Sequence, residues 1–153
     1  MTRRPEPTLD HVSSDCACFN LRRAARAITQ LYDKALAPSG LRAGQFSLLV
    51  ALARAGTVPF TKLAGALGMD RTTLTRNVGP LERDGLVALK PGPDRRVKLV
   101  AITEKGRRTL ARAIPRWEDA QRLITAGIGA GRWDGIRREL RRITALAGEA
   151  GAD

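Results

Sequence analysis

The side chains with the clearest chemical potential are hydroxyls, an amide and guanidinium groups that crowd one predicted helix. They fall within seven consecutive positions, in or beside the face opposite the apolar stripe of that helix: Arg71, Thr72, Thr73, Thr75, Arg76 and Asn77. Groups of these kinds hydrogen-bond base edges and phosphates in the major groove of DNA. The cluster therefore predicts contact with nucleic acid.

A second group of cations follows a strong turn signal. Pro91-Gly-Pro-Asp94 joins two β runs, and Arg95 and Arg96 come directly after it. An arginine at the tip of a thin hairpin can reach a narrow, electronegative minor groove, and we expect Asp94 to pair with an arginine and hold it in place. By themselves, two arginines in a turn are more typical of a solvated surface. Three lysines are expected to add phosphate contacts: Lys62, Lys90 and Lys98.

The charge of the chain points to the same partner. The 153 residues carry 27 Lys and Arg against 15 Asp and Glu, a formal charge of +12. Residues 62–115 hold 12 basic and 5 acidic groups, whereas residues 116–153 hold 7 and 6. A basic excess concentrated in one segment indicates a polyanionic partner, nucleic acid above all. A non-specific architectural DNA-binding protein would share this feature.

Several classes of protein are disfavoured. The one histidine, His11, provides neither a catalytic triad nor a multi-histidine metal site, and no cofactor is expected. A peroxide-reactive thiol protein using Cys18 remains an alternative, but a thiol enzyme usually needs a base beside the thiol. The longest apolar run, residues 46–53, is far shorter than the roughly 20 residues of a membrane span. Without the apolar stretch of a signal peptide, a cytoplasmic protein is expected.

Apolar periodicity and turn residues define the elements that must position these groups. Asp70 is a good helix N-cap, Gly85 a good left-handed stop, and Thr103 a good cap for a long helix. Helices are predicted over about 21–36, 45–54, 61–67, 70–84, 103–126 and 132–146, with strands over 57–60, 86–90 and 95–102. This order predicts a mainly α fold with a small β-hairpin wing, a winged helix-turn-helix with flanking helices.

The chain resembles the MarR (multiple antibiotic resistance regulator) family. The resemblance covers about residues 16–148 and is carried by these motifs: Leu63-Ala-Gly-Ala-Leu-Gly, Thr73-Leu-Thr-Arg76, Leu81-Glu-Arg-Asp-Gly85, Asp94-Arg-Arg and Ile102-Thr-Glu-Lys-Gly106. It implies a homodimeric transcription regulator, usually a repressor, that reads a pseudo-palindromic operator in double-stranded DNA. The recognition helix would be residues 70–84 and the wing residues 86–102, with the family's Asp-x-Arg pattern at Asp94 and Arg96.

This resemblance divides the chain into three parts. Residues 1–14 are expected to be a flexible N-terminal arm, residues 15–40 and 104–150 a helical dimerisation subdomain, and residues 41–103 the winged helix-turn-helix subdomain. Prolines inside two helices depart from the pattern. We expect Gly79-Pro80 to kink or distort the recognition helix, and Pro115 to do the same in the dimerisation helix, because an interior proline removes a backbone hydrogen bond.

Two cysteines, Cys16 and Cys18, suggest a switch. A thiolate near the start of a helix is stabilised by the helix N-terminus. Cys18-Phe-x-Leu together with Tyr32 is partly similar to the organic-hydroperoxide-sensing branch of the family, in which the cysteine reacts with peroxide. The alternatives are that the two thiols bind a soft metal or simply pack at the dimer seam. A small aromatic effector bound in the crevice beside Trp117 is another possible signal.

Overall fold

The computed structural model describes residues 9–94 and 96–150. Helices dominate, and a small sheet sits in the middle of the chain. The elements are α1 (Leu9–Asp15), α2 (Ala17–Leu36), a 3-10 turn (Ala37–Ser39), α3 (Ala43–Ala55), β1 (Val58–Pro59), α4 (Phe60–Ala66), α5 (Arg71–Arg83), β2 (Val87–Pro91), β3 (Lys98–Ile102), α6 (Glu104–Ile128) and α7 (Ala130–Ala150). This is a winged helix-turn-helix fold, as the order of predicted elements indicates.

The sheet is antiparallel, with strand order β1-β3-β2. Val58 is paired with Val100, and Val87 with Ile102. Pro59 lies on the outer strand, where its missing N–H costs no ladder hydrogen bond, as expected for an edge strand. We call β2, β3 and the turn between them the wing.

The core is centred on α3. Leu48, Leu49 and Leu52 are fully buried there, and they share one cluster with Leu36 of α2 and Leu74 of α5. Burying a leucine contributes about 1.5–3 kcal/mol, so these contacts supply much of the free energy that holds α5 on α3. The helix α5 is therefore mounted on α3 by its apolar face, and its polar face is left outward.

The expected stops and caps around α5 and α6 are confirmed. Asp70 is the N-cap of α5, and its carboxylate accepts a hydrogen bond from the Thr73 N–H at 2.8 Å. Gly85 has a φ of +70°, the left-handed conformation in which a side chain would be strained. Thr103 caps α6 through a hydrogen bond from the Gly106 N–H at 3.0 Å.

Several expectations about element boundaries are wrong; the helix predicted from residue 21, for example, begins at Ala17. Residues 9–14 do not belong to a flexible arm but to α1, in which Ser13 and Ser14 donate to backbone carbonyls three residues earlier; residues 1–8 lie outside the described residues. The second strand of the wing begins at Lys98 and not at position 95. It starts late because the turn closes on itself, with the Gly92 N–H bound to the Val97 carbonyl at 2.8 Å.

Neither internal proline interrupts its helix. The helix α5 continues past Pro80 to Arg83, and α6 continues past Pro115 to Ile128. A proline ring normally clashes with the Cβ of the preceding residue in a helix. At Pro80 that residue is Gly79, which has no Cβ, whereas at Pro115 it is Ile114, and the helix continues all the same. The two prolines do not end either helix, and a kink of the helix axis at Gly79-Pro80 or at Pro115 stays a prediction.

The flanking helices leave much apolar surface exposed. A hydrogen bond from the Tyr32 hydroxyl to Gln121 Oε1, 2.5 Å long, joins α2 to α6. The large apolar side chains that remain exposed on α6 and α7 are Ile114, Leu123, Ile136, Leu140, Ile143 and Leu146. None of the helices in residues 9–94 and 96–150 combines the length and apolarity needed to cross a membrane.

Candidate nucleic-acid interface

The first turn of α5 is held by a bidentate cap. One oxygen of Asp70 accepts the Thr73 N–H, and the other accepts the Thr73 hydroxyl at 2.7 Å. These two hydrogen bonds lower the pKa of Asp70, the backbone bond contributing most. The Thr73 side chain was expected to contact DNA. Its hydroxyl instead donates its hydrogen bond to the Asp70 carboxylate.

Five of the predicted contact residues lie exposed on α5: Arg71, Thr72, Thr73, Thr75 and Arg76. The Thr75 hydroxyl donates to the Arg71 carbonyl at 2.8 Å, which leaves its oxygen lone pairs to accept from a ligand. Among the described residues, no acidic side chain lies within 4 Å of the guanidinium of Arg71 or of Arg76. Their donors are available for base edges and phosphates.

Asn77 occupies a different environment. It is partly buried, and its amide nitrogen donates to the Thr73 carbonyl at 3.0 Å. Its amide oxygen lies over Gly44 of α3, 3.0 Å from where a Cβ on that glycine would stand. The side chain thus lies at the contact between α3 and α5. Its role in binding DNA stays a prediction.

The wing turn is shaped by Asp94. Its side-chain Oδ1 accepts the backbone N–H of Arg96 at 2.9 Å, while its own carbonyl accepts the Val97 N–H. The sequence-based expectation that Asp94 pairs with an arginine head group is not met at Arg96, since the described residues contain no Asp94–Arg96 ion pair. Asp94 instead fixes the backbone that presents the Arg96 side chain. Arg95 lies outside the described residues.

A groove of about 190 Å³ separates the recognition helix α5 from the wing. Arg71 and Thr75 line it from α5, and Arg96 and Lys98 line it from the wing. The structure thus brings together two of the predicted clusters. Glu82, an exposed residue of α5, also lines the groove. Glu82 was not predicted to line the groove. The signal was present, because residues seven apart, such as Thr75 and Glu82, lie on one face of a helix.

The remaining predicted lysines lie on neighbouring elements. Lys62 is exposed on α4, directly after Thr61, which lines the groove. Lys90 is exposed on β2. Their phosphate contacts stay predictions.

Comparison with known proteins identifies the family. A family model described as "MarR family" matches residues 39–96, which span the elements from α3 to β2 and most of the turn that follows β2. The transcriptional repressor NicR of Pseudomonas putida is 31% identical over 124 residues, which make up 80% of this chain and 78% of NicR. The chain belongs to the MarR family.

Solved structures agree with this assignment. The transcriptional regulator MosR of M. tuberculosis, in complex with DNA, is 42% identical with a TM-score of 0.82, and the match covers 91% of this chain and 100% of that one. CouR from Rhodococcus jostii RHA1, bound to p-coumaroyl-CoA, is 33% identical with a TM-score of 0.72, covering 85% and 92%. For two further regulators, from Bacillus subtilis and Rhodopseudomonas palustris, the matched region spans only 62% and 53% of their length.

This MarR-family chain has a second cavity beside the long helix α6. It measures about 240 Å³ and is lined by residues of α2, α3 and α6, among them Tyr32, Ala43, Phe46 and Trp117. The rings of Phe46 and Trp117 are stacked with centroids 6.2 Å apart. Burial raises the pKa of Tyr32 further above its ordinary value, and its hydroxyl donates to Gln121.

The two cysteines lie where α1 meets α2. Cys16 is the N-cap of α2, and its Sγ accepts a hydrogen bond from the Phe19 N–H at 3.5 Å. Cys18 is exposed in the first turn of the same helix. Both are free thiols. In residues 9–94 and 96–150 no group of three or more His, Cys, Asp or Glu residues is arranged to hold a metal ion.

Proposed function

We propose that this MarR-family protein is a dimeric, sequence-specific DNA-binding transcription regulator of the repressor type. The observation that carries the proposal is the shared groove, in which Arg71 and Thr75 of the recognition helix face Arg96 and Lys98 of the wing. This arrangement offers hydrogen-bond donors for a major groove and cations for the neighbouring phosphates. The MosR complex with DNA supports it, because MosR shares the fold over the whole of its length.

The dimer follows from the apolar surface of α6 and α7. Single exposed apolar residues are ordinary on a protein surface, but a contiguous stripe marks an interface. In α7 the stripe runs through Ile136, Leu140 and Ile143, all at least 38% exposed and spaced at helical intervals. A two-fold dimer would place two recognition helices about 34 Å, or about 10 base pairs, apart. The operator would then be a pseudo-palindrome.

Repression and its release are the finer part of the proposal. NicR is described as a repressor, and a repressor needs a signal that lowers its affinity for DNA. One candidate is a small molecule in the cavity beside Trp117, by analogy with CouR, which binds p-coumaroyl-CoA. The other is oxidation of Cys18 or Cys16. Such a regulator would act in the cytoplasm, where the operator is.

The test begins with selection of a binding site from randomised duplex DNA by the full chain. We expect one pseudo-palindromic sequence to be enriched and to be bound at least about 10³-fold more tightly than random duplex. Equal affinity for the selected and random duplexes would indicate an architectural DNA-binding protein. Light scattering at micromolar concentration is expected to give the mass of a dimer, and a monomer would rule out the two-fold arrangement.

A further inference from the structure

Asn77 is the point at which α3 supports the exposed side of the recognition helix. The apolar residues of α5 pack into the core, whereas Asn77 is a polar residue on a partly exposed face of the helix. Its amide nitrogen donates to the Thr73 carbonyl within α5, and its amide oxygen lies over Gly44 of α3. Gly44 is the second residue of α3. The position of the α3 N-terminus therefore bears directly on the middle of α5.

The N-terminus of α3 is in turn held by a carboxylate from α2. Oδ1 of Asp33 accepts the backbone N–H of Ala43, the first residue of α3, at 2.7 Å. Asp33 is half-buried, and the bond spans the ten residues of chain that connect the two helices. A carboxylate at the N-terminus of a helix satisfies a free N–H and interacts favourably with the helix dipole. This one comes from another helix and adds to the local bond from the Arg42 N–H to Gln45 Oε1.

We infer that Asp33 is a positioning residue for the recognition helix. It fixes the first turn of α3 on α2, and that turn fixes α5 through the contact between Gly44 and Asn77. The inference rests on the proposed function, because it assumes that α5 reads DNA from a dimer built on the flanking helices. We expect the Asp33 carboxylate to set the angle between each recognition helix and the dimerisation helices. That angle determines which half-site spacing the dimer prefers.

The same turn of α3 forms a wall of the cavity next to Trp117. Ala43 lines that cavity, and so does Tyr32, the neighbour of Asp33 in the sequence. The Tyr32 hydroxyl is bound to α6 through Gln121. Consecutive residues of α2 thus fasten α6 and α3. An effector that enters the cavity would contact Ala43, whose N–H is bound to Asp33. A shift of Ala43 would move the first turn of α3 and, through it, α5.

The test measures half-site spacing selectivity, the ratio of affinities for operators whose half-sites are separated by the selected distance and by one base pair more. Four variants are compared with the wild type. Asp33→Ala removes the acceptor, Asp33→Asn keeps an acceptor oxygen without the charge, and Gly44→Ala places a Cβ against Asn77. Gly65→Ala is the matched control, because it adds the same methyl group to α4 in open space.

We expect Asp33→Ala to lower the selectivity by about tenfold, a change of ordinary size for coupling between two sites. Gly44→Ala is expected to lower it in the same direction. Asp33→Asn should restore most of the selectivity, because its amide oxygen can accept the Ala43 N–H. Gly65→Ala should leave it unchanged. A purely structural role would weaken binding to all spacings in the same proportion and would leave the ratio intact.

Wild-type selectivity in Asp33→Ala overturns the inference, and so does a uniform loss of affinity across all spacings. If Asp33→Ala does not fold, Gly44→Ala decides in its place by the same two criteria. Failure of the proposed function has a different signature, since the wild-type chain would then select no operator and show no spacing preference. The inference is thus tested only against a wild type that reads DNA.

Discussion

A Cβ atom on Gly106 would overlap the backbone carbonyl of Leu86. Gly106 is buried in the first turn of α6, and Leu86 follows the end of the recognition helix. The same carbonyl accepts the Thr103 N–H at 3.0 Å, and the Thr103 hydroxyl donates to the Gly85 carbonyl at 2.7 Å. The start of the long helix α6 is thereby locked onto the C-terminal end of α5. This explains the Ile102-Thr-Glu-Lys-Gly106 motif in physical terms.

The first prediction is that Gly106→Ala destabilises the protein strongly. The added methyl group would meet backbone on Leu86, which cannot rotate away as a side chain could, and overpacking of this kind costs about 1–3 kcal/mol or more. Gly127→Ala in the same helix is the control, because its Cβ would stand in open space. Urea unfolding measures both. Equal unfolding free energies for the two variants would show that the close approach has no energetic weight.

The second prediction concerns Arg96 in the wing. Arg96→Ala should weaken operator binding and reduce the slope of log K against log salt by roughly 1 per half-site, because one phosphate neutralisation is lost. Arg122→Ala is the control, since Arg122 is paired with Asp119 near the far end of α6. Titrations at several salt concentrations give the slopes. If affinity and slope match the wild type, the wing does not contribute to binding.

The third prediction concerns base reading by Arg76. Phosphate contacts affect all sequences alike, whereas a contact to a base edge is worth about 1–3 kcal/mol of discrimination against the wrong base. We expect Arg76→Ala to lose affinity for the selected operator and to relax the preference at one position of each half-site. Repeating the selection with the variant measures this preference. An unchanged consensus together with uniformly weaker binding would assign Arg76 to the phosphates.

The fourth prediction follows from the lowered pKa of Asp70. A carboxyl group whose pKa is lower in the folded state than in the unfolded chain stabilises the fold above the unfolded value of about 3.9. That contribution is lost as the pH falls through the lower, folded value. Asp70→Ala should therefore have a lower unfolding free energy than the wild type at neutral pH, and the difference should shrink only below about pH 4. Urea unfolding as a function of pH provides the measurement.

A difference that is constant down to pH 3 would contradict the capping argument. Asp70→Ser is the informative control here. Serine is also a good N-cap but cannot ionise. Its stability relative to the wild type at neutral pH separates the hydrogen bond from the charge.

The bounds of the recognition helix could be predicted because its signals are local. Asp70 caps the helix through the next turn, and Gly85 ends it through its own φ, so neither depends on distant parts of the chain. The uninterrupted course of α5 past Pro80 could not be predicted with the same rules, because α5 is also held by the apolar core, which joins it to residues distant in the sequence.

The contact residues of the site were less predictable because their neighbours are distant in sequence. Asn77 looks like a base reader by residue type, and only the packing of α3 places Gly44 against it. Asp33 has no local partner that would reveal its role, because it binds an N–H ten residues away. At Arg96, Asp94 does not bind the guanidinium but accepts the backbone N–H, because a short polar side chain in a tight turn readily reaches a nearby backbone N–H.

The last prediction is that oxidation of Cys18 weakens DNA binding. Cys18 is exposed in the first turn of α2, whereas Cys16 is half-buried and caps that helix. Exposed apolar side chains surround this junction in the sequence: Leu9, Val12 and Phe19. We propose that they belong to the dimer seam. A thiolate that attacks the O–O bond of an organic hydroperoxide becomes a sulfenic acid, and the other oxygen leaves as the alcohol. The added oxygen on sulfur would place a polar group in the seam and turn the recognition helices out of register.

Operator affinity before and after treatment with an organic hydroperoxide, with reversal by a reductant, is the measurement. We expect the wild type and Cys16→Ser to lose affinity and Cys18→Ser to keep it. Cys16→Ser is a clean control because serine preserves the N-cap of α2. If the wild type keeps its affinity although mass spectrometry shows both thiols oxidised, the redox hypothesis is wrong. The effector would then be a small molecule in the cavity beside Trp117, because that cavity adjoins Ala43 and the helix α3 that supports α5.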